Sequence, residues 1–113
     1  MTMMKLLRVY TDETAYFGDR KVFELIAERA RDARLGGATV IEAMLGIGRS
    51  AHTHRRHILE NDRSVVIEIV DEDARLRAFI ADLRDITGIG LMTLEAIEVI
   101  DPEIIADASD ERE

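Results

Sequence analysis

The residues best suited to chemistry are concentrated in one stretch, MLGIGRSAHTHRRHIL, at residues 44–59. It contains all three histidines of the chain, a Gly-x-Gly sequence, three arginines and no acidic residue. Backbone amides of glycine can approach an anion closely, and the forked guanidinium of arginine matches phosphate oxygens. The stretch therefore suits an anionic ligand such as a nucleotide or another phosphorylated metabolite.

The Gly-x-Gly sequence at Gly46 and Gly48 is a weak signal when it is taken alone. It follows a strand-like segment, and neither a Walker-type lysine nor a Rossmann helix comes after it. From these residues alone a structural turn is favoured over a binding site. Arg49, which follows directly, keeps an anion site open as the alternative.

The three histidines could bind a transition metal, because imidazole is a common metal ligand at neutral pH. The residues in question are His52, His54 and His57. Their spacing does not by itself form a closed site, and the neighbouring arginines oppose a divalent cation. We therefore expect solvent-exposed loop histidines, with a metal site as the alternative. His54, when protonated, could also contact an anion together with Arg55 and Arg56.

Length and charge limit the classes of function open to the chain. At 113 residues with 47% hydrophobic content, it has the size of one domain with one core. A net charge of -8 argues against a nucleic-acid-binding protein, since such proteins attract phosphates with a basic surface. The absence of cysteine excludes disulfides, thiolate metal sites and cysteine nucleophiles. No nucleophile paired with a base stands out, so we expect no enzymatic activity.

We expect one domain over residues 1–100, followed by an acidic tail over residues 101–113. The tail reads DPEIIADASDERE, a composition typical of a flexible, solubilising segment. No apolar run approaches the roughly 18 residues of a membrane span, and the first residues do not resemble a signal peptide. The sequence therefore predicts a cytoplasmic protein without membrane insertion.

Apolar periodicity predicts four strands and two helices. The strands are expected over residues 4–11, 38–45, 64–70 and 91–100. One amphipathic helix is expected to begin with Asp19 as its N-cap and to stop at Gly36, and a second to begin at 71–73 and to end before Gly88. The order βαββαβ predicts an α+β, ferredoxin-like fold, with a four-stranded antiparallel sheet and both helices on one face.

The sheet face opposite the helices is expected to carry much aliphatic surface. In the third strand Val65, Ile67 and Ile69 can face the helices, while the residues between them and after them face away. Exposed aliphatic area favours association, so we expect this face to be covered in a closed cyclic oligomer. Four glutamates would then need partners or water: Glu42, Glu68, Glu95 and Glu98.

Several segments of the chain resemble the PII signal-transduction superfamily, and in particular its uncharacterised PII-like branch. They are LLRVYTDETAYFGDRKVFELI (6–26), GGATVIEAMLGIGRSAHTH (36–54), VVIEIVD (65–71) and TGIG (87–90). The motif GIGR is similar to the Gly-aromatic-Gly-Arg motif at which the long, mobile T-loop of PII proteins begins. The resemblance extends over residues 6–100.

The resemblance implies a homotrimer with its sheets packed inward and adenine nucleotides bound in the clefts between subunits. On this basis Gly46, Gly48 and Arg49 match the T-loop entry, and Thr87, Gly88 and Gly90 resemble the remains of a second ligand-holding loop. The expected site also includes His54, Arg55 and Arg56, which would supply positive charge from the loop itself. PII proteins carry lysines in that second loop, whereas TGIGLMT has no basic residue. No tyrosine lies between Gly46 and Ser64, so uridylylation on a loop tyrosine is excluded.

The sequence therefore predicts a PII-like regulator and identifies no cofactor for it. A small anionic effector, with an adenine nucleotide as the first choice, would bind between subunits and change the loop surface offered to a partner. Superfamily relatives regulate transporters, channels or enzymes. The alternatives are a trimeric metal-binding protein similar to CutA that uses the three histidines, a small ferredoxin-like enzyme, and a structural trimer without ligand.

Overall fold

Alternating burial defines the two long strands at the centre of the sheet. The computed structural model describes residues 3–42 and 64–100. The buried residues are Leu7, Val9 and Thr11 in β1 (Met4–Asp12), and Val65, Ile67, Ile69 and Asp71 in β5 (Ser64–Glu72). Successive side chains of a strand point to opposite faces, so each strand has one buried side and one side turned away from the core. The predicted division of β5 between the two faces is confirmed.

Shorter elements complete the fold. They are β2 (Tyr16–Phe17), β3 (Arg20–Lys21), helix α1 (Val22–Asp32), β4 (Ala38–Glu42), helix α2 (Asp73–Asp82), a 3₁₀ turn (Leu83–Asp85) and β6 (Leu91–Ala96). The main sheet has the order β4-β5-β1-β6, and every neighbouring pair is antiparallel. Strands β2 and β3 form a separate hairpin. The predicted α+β, ferredoxin-like architecture with a four-stranded antiparallel sheet and two helices is confirmed.

The core lies between the two helices and one face of the sheet. Helix α1 buries Val22, Ile26 and Ala30, and α2 with the 3₁₀ turn buries Leu76, Phe79 and Leu83. Full burial of a large aliphatic side chain stabilises the folded state by about 1.5–3 kcal/mol. The apolar side chains of Leu76, Phe79 and Leu83 therefore help to hold α2 against the sheet.

Two predicted element ends are wrong. Asp19 is not the N-cap of α1, because it lies in the turn between β2 and β3 and Lys21 occupies the N-cap position. The last strand ends at Ala96 rather than at residue 100. Helix α2 begins within the predicted range of 71–73, with Glu72 at its N-cap position and without a side-chain capping hydrogen bond. In the described part of the chain neither helix has the length and apolar character needed to cross a membrane.

The carboxylate of Asp71 ties the end of α1 to the start of α2. Its side chain is buried and accepts hydrogen bonds from the backbone N–H of Gly36 at 2.8 Å and from Arg75 Nη1 at 2.9 Å. Arg75 Nη2 in turn donates to the carbonyl oxygens of Ala33 and Arg34, at 3.1 and 2.7 Å. We call these five residues the Asp71 cluster. A side chain on Gly36 would overlap the backbone carbonyl of Val70, so this turn requires glycine.

A second ion pair joins the helices on their outer side. Arg29 of α1 donates to both carboxylate oxygens of Asp85, at 2.9 and 3.1 Å, and to the carbonyl oxygen of Asp82 at 2.9 Å. The hydrogen bond from Arg29 lowers the pKa of Asp85, and the positive charge of Arg29 acts in the same direction. The pair therefore links folding to protonation of one carboxylate.

This link predicts a pH dependence that Asp85→Asn should reduce. The pKa of Asp85 is lower in the folded than in the unfolded chain, so its contribution is complete above the unfolded value of about 3.9 and is lost as pH falls through the folded value. Urea unfolding between about pH 6 and about pH 2 measures it. The natural chain should lose more stability on acidification than Asp85→Asn. Equal losses would show that the pair does not couple folding to this proton.

Candidate functional site

Four strand ends define one end of the main sheet, which we call the loop end. Strand β1 finishes there at Asp12 and β4 at Glu42, while β5 starts there at Ser64 and β6 at Leu91. The register places Asp12 opposite Ser64, and Glu42 opposite the residue after Ser64. The 43–63 segment, which holds the stretch singled out above, is thus attached at both its ends to the loop end.

The Thr87–Gly90 loop is fixed at the same end of the sheet. Thr11 Oγ1 donates a hydrogen bond to the carbonyl oxygen of Gly88 at 2.7 Å, and the backbone N–H of Gly90 donates to the carbonyl oxygen of Tyr10 at 2.8 Å. These bonds hold the loop against the final residues of β1. The predicted second ligand-holding loop therefore lies beside the attachment points of the 43–63 segment.

Gly88 has a structural requirement that sequence reasoning missed. Its φ of 96° lies in the left-handed region, which favours glycine. A Cβ at this position would also lie 3.1 Å from Val22 Cγ2 and 3.3 Å from Ala15 Cβ. Thr87 and Gly88 are exposed to solvent, whereas Ile89 is half-buried against the core. Gly88 thus allows the loop to pack closely on the base of the β2–β3 hairpin while its backbone stays accessible.

The β2–β3 hairpin is a second feature that the four predicted strands do not include. Tyr16 and Lys21 are directly opposite each other in its register, and 54% of Tyr16 is exposed. Lys21 Nζ lies 5.7 Å from the centroid of the Phe23 ring. The signal for this hairpin was the Gly18-Asp19 pair, a combination frequent in tight turns. The hairpin adds an exposed aromatic ring and a cation to the loop end.

The structure describes only part of the predicted site. Thr87, Gly88 and Gly90 lie together at the loop end, as set out above. The other predicted residues lie outside the described ranges: Gly46, Gly48, Arg49, His54, Arg55, Arg56, and His52 and His57 of the alternative metal site. Residues 101–113 also lie outside them. Within residues 3–42 and 64–100, no group of three or more metal-ligating side chains comes together.

Comparison with known proteins places the chain in a family. Residues 4–99 match the model of the DUF190 family, described as "Uncharacterized ACR, COG1993". The chain belongs to this family. It is also 36% identical over 98 residues to a UPF0166 protein of Aquifex aeolicus (strain VF5), a match that covers 85% of this chain and 92% of that protein. DUF190 is the PII-like branch of the PII superfamily, so the predicted resemblance is confirmed.

The DUF190 match includes every strand and helix described above. It begins at the first residue of β1 and continues past the last residue of β6. It therefore spans the loop end of the sheet, including both attachment points of the 43–63 segment. The family description gives no activity, so the function of this DUF190 chain has to be argued from its site.

The open face of the DUF190 sheet, opposite the helices, has an apolar row across all four strands. The row consists of Ile41, Val66, Tyr10 and Leu91, in register from β4 to β6. Beside it Arg8 Nε donates to Glu68 at 3.0 Å and Arg8 Nη1 donates to Glu95 at 3.1 Å. Two of the glutamates expected to need partners thus share Arg8. The face combines exposed aliphatic and aromatic surface with one internal ionic cluster.

Proposed function

We propose that this DUF190 chain is a regulatory protein of the PII kind, with a binding rather than a catalytic role. It forms a homotrimer, senses a small anionic effector at subunit interfaces, and presents residues 43–63 to a partner such as a transporter, channel or enzyme. An adenine nucleotide is the first effector to test. The observation that carries this proposal is that both attachment points of the 43–63 segment and the Thr87–Gly90 loop meet at one end of the sheet.

The effector site is supported by the chemistry that meets at the loop end. Gly46, Gly48 and Arg49 follow Glu42, the last residue of β4, within seven residues of sequence. Gly88 holds a backbone conformation that leaves its loop exposed and close to β1. Glycine backbone and arginine together suit phosphate oxygens. An effector bound there would lie next to the first residues of the 43–63 segment, which is the segment offered to the partner. It would change the conformation of that segment only if it bound one of its conformations more tightly than another.

The homotrimer is supported by the open face of the sheet. An apolar row of four residues across a solvent-facing sheet is the kind of surface that marks an association site. Identical chains usually associate in closed symmetric assemblies, and a cyclic trimer is one of them. Clefts between neighbouring chains would then lie next to the edges of the sheet, where an effector could touch two subunits.

The proposal is tested by calorimetric titration after the mass in solution has been measured. The ligands are ATP, ADP, AMP, cyclic AMP and cyclic di-AMP, each with and without magnesium. Saturable binding of one of them at one site per chain supports the proposed function. A chain that proves trimeric but gives no heat with any of them would refute the nucleotide mechanism. The next titration would then be a transition metal against the chain and its His52→Ala, His54→Ala and His57→Ala variants.

Arg49→Ala should weaken binding of the effector by about 1.5–3 kcal/mol, the range for a hydrogen bond to a charged group. This corresponds to a dissociation constant raised roughly tenfold to a hundredfold. The matched control is Arg77→Ala, which removes an arginine from α2 that pairs with Asp73, far from the loop end. Equal affinity of Arg49→Ala and the natural chain would remove Arg49 from the site.

A further inference from the structure

The open face of the sheet has an unbalanced negative charge near its centre. Arg8 of β1 donates to Glu68 of β5 at 3.0 Å and to Glu95 of β6 at 3.1 Å. We call these three residues the Arg8 cluster. One guanidinium is shared by two carboxylates, so the cluster has a net charge of -1 when both glutamates are ionised.

The rest of the open face supplies no positive charge to balance this excess. Among the described residues of the four strands, Arg8 is the only cation on that face, because Lys5 lies on the helix side, 3.7 Å from Asp73. The other charged residues of the face are acidic, namely Asp12 at the loop end of β1 and Glu72 at the opposite end of β5. Strand β4 contributes no charged side chain to it.

Water solvates the excess charge in a single chain. The side chains of Arg8 and Glu68 are about one third exposed, and that of Glu95 is 54% exposed. The hydrogen bond with Glu68 raises the pKa of Arg8, so the arginine stays charged at every pH considered below. Any change in the charge of the cluster must therefore occur on a glutamate.

Packing of the open face in a trimer would remove this water. Arg8 and Glu68 lie two residues along β1 and β5 from the apolar row, on the same face. The row ends at Leu91 on β6, and Glu95 is on the same face of that strand, about 13 Å further along at a rise of about 3.3 Å per residue. A surface that covers the row and the middle of the sheet therefore covers the Arg8 cluster as well.

A net charge that is buried without a partner is strongly unfavourable, and an ionisable group in this situation becomes neutral instead. A carboxylate becomes neutral by binding a proton from the solvent. Its carbonyl oxygen can still accept a hydrogen bond from Arg8 after this change. One proton per chain would make the Arg8 cluster neutral and keep its contacts.

We infer that trimer assembly is coupled to proton uptake at the Arg8 cluster, with one proton per chain bound by the pair Glu68 and Glu95. This inference rests on the proposed function, because it concerns the homotrimer, and it adds regulation of that trimer by pH. The trimer then holds three more protons than three separate chains. Its association constant consequently falls as pH rises.

The coupling has a measurable size. Uptake of three protons changes the association constant by up to about a thousandfold per pH unit, which moves the chain concentration at half-dissociation by up to about thirtyfold. Sedimentation equilibrium over a range of chain concentrations measures this between about pH 5 and about pH 8, where an exposed glutamate is ionised. Ionic strength is held constant and EDTA is present. Urea unfolding at each pH detects the same protons when dilution does not dissociate the trimer.

Glu95→Gln should remove the pH dependence and strengthen assembly at pH 8, because the cluster then has no excess charge. Loss of a merely structural contact with Arg8 would instead weaken assembly at every pH. Glu68→Gln should also remove the pH dependence. The matched control is Glu24→Gln, which removes the same charge from an exposed position on α1, in the helix layer. This variant should keep the pH dependence of the natural chain.

The possible outcomes distinguish this inference from the proposed function. A natural trimer whose association does not depend on pH, or depends on it equally in Glu95→Gln, would overturn the inference and leave the proposed trimer standing. Weaker assembly of Glu95→Gln at pH 8 would also overturn it. Dissociation of the trimer by EDTA would overturn it too, because a metal cation would then balance the charge. A natural chain that is monomeric at every pH would overturn both.

Discussion

Asp71→Ala is expected to lower the free energy of unfolding by about 3 kcal/mol, at the lower limit for breaking a buried ion pair. The buried carboxylate holds Arg75 and the backbone N–H of Gly36 at once. Its removal leaves the N–H of Gly36 without its acceptor and releases Arg75, which also binds the last carbonyl groups of the α1 end. Arg75 is partly exposed, which keeps the expected loss at this limit. Chemical unfolding in urea measures it.

Asp73→Ala is the matched control for this change. Asp73 carries the same side chain two residues later and pairs with Arg77 and Lys5 nearer the surface. Its removal should cost about 1 kcal/mol or less, as is usual for exposed pairs. Similar losses for the two variants would contradict the view that the Asp71 cluster joins the helices. A much larger loss for Asp71→Ala would confirm it.

Val66→Lys is expected to convert the proposed trimer into single chains while leaving the monomer folded. Val66 lies in the apolar row of the open face and points away from the core. A lysine there can reach water in a monomer but would be buried without a partner between packed sheets, which is strongly unfavourable in each of three copies. The mass in solution should fall from three times the 12.8 kDa of one chain to that of one chain. Sedimentation equilibrium measures it.

Ala78→Lys is the control for Val66→Lys, because it introduces the same side chain on the opposite side of the molecule. Ala78 is exposed on α2, in the groove beside Arg29. This variant should keep the mass of the natural chain. If Val66→Lys also keeps it, the open face is not the association surface. If the natural chain is itself monomeric, the trimer part of the proposed function is refuted.

The sheet was predictable because its central strands obey the simplest rule of strand structure. The residues Val65, Ile67 and Ile69 alternate with residues that face away from the helices. All three are buried in the structure, as expected. The helices were predictable for a similar reason, since their apolar residues recur with the helical period. Once the strands and helices are assigned, few topologies are compatible with the order βαββαβ, because connections are short and crossovers are right-handed.

Two features could not be predicted, namely a contact between residues far apart in sequence and a hairpin of very short strands. Asp71 was expected at the start of the second helix, where it binds Arg75, and it also accepts a hydrogen bond from Gly36, 35 residues away. Nothing in the local sequence around Asp71 indicates that partner. Asp19 was expected to cap the first helix because aspartate is common at N-caps, whereas the two-residue strands on either side of it form a hairpin.

The candidate site was only partly visible in the sequence. Thr87, Gly88 and Gly90 were named through the family resemblance, and hydrogen bonds hold their loop against the end of β1. The β2–β3 hairpin beside this loop was not predicted, because periodicity does not identify strands as short as two residues.

The strand order also has a consequence for how the chain reaches its native state. Strand β1 is first in sequence but lies in the interior of the sheet, where Leu7 pairs with Ile69 on one side and with Leu94 on the other. Neither partner exists until most of the chain has left the ribosome. Pairing over such sequence separations is slow, because loop closure has to precede the contacts that stabilise it. During synthesis the apolar residues of β1 therefore stay unpaired until β5 and β6 have been made, and unpaired strands of this kind favour aggregation of the incomplete chain.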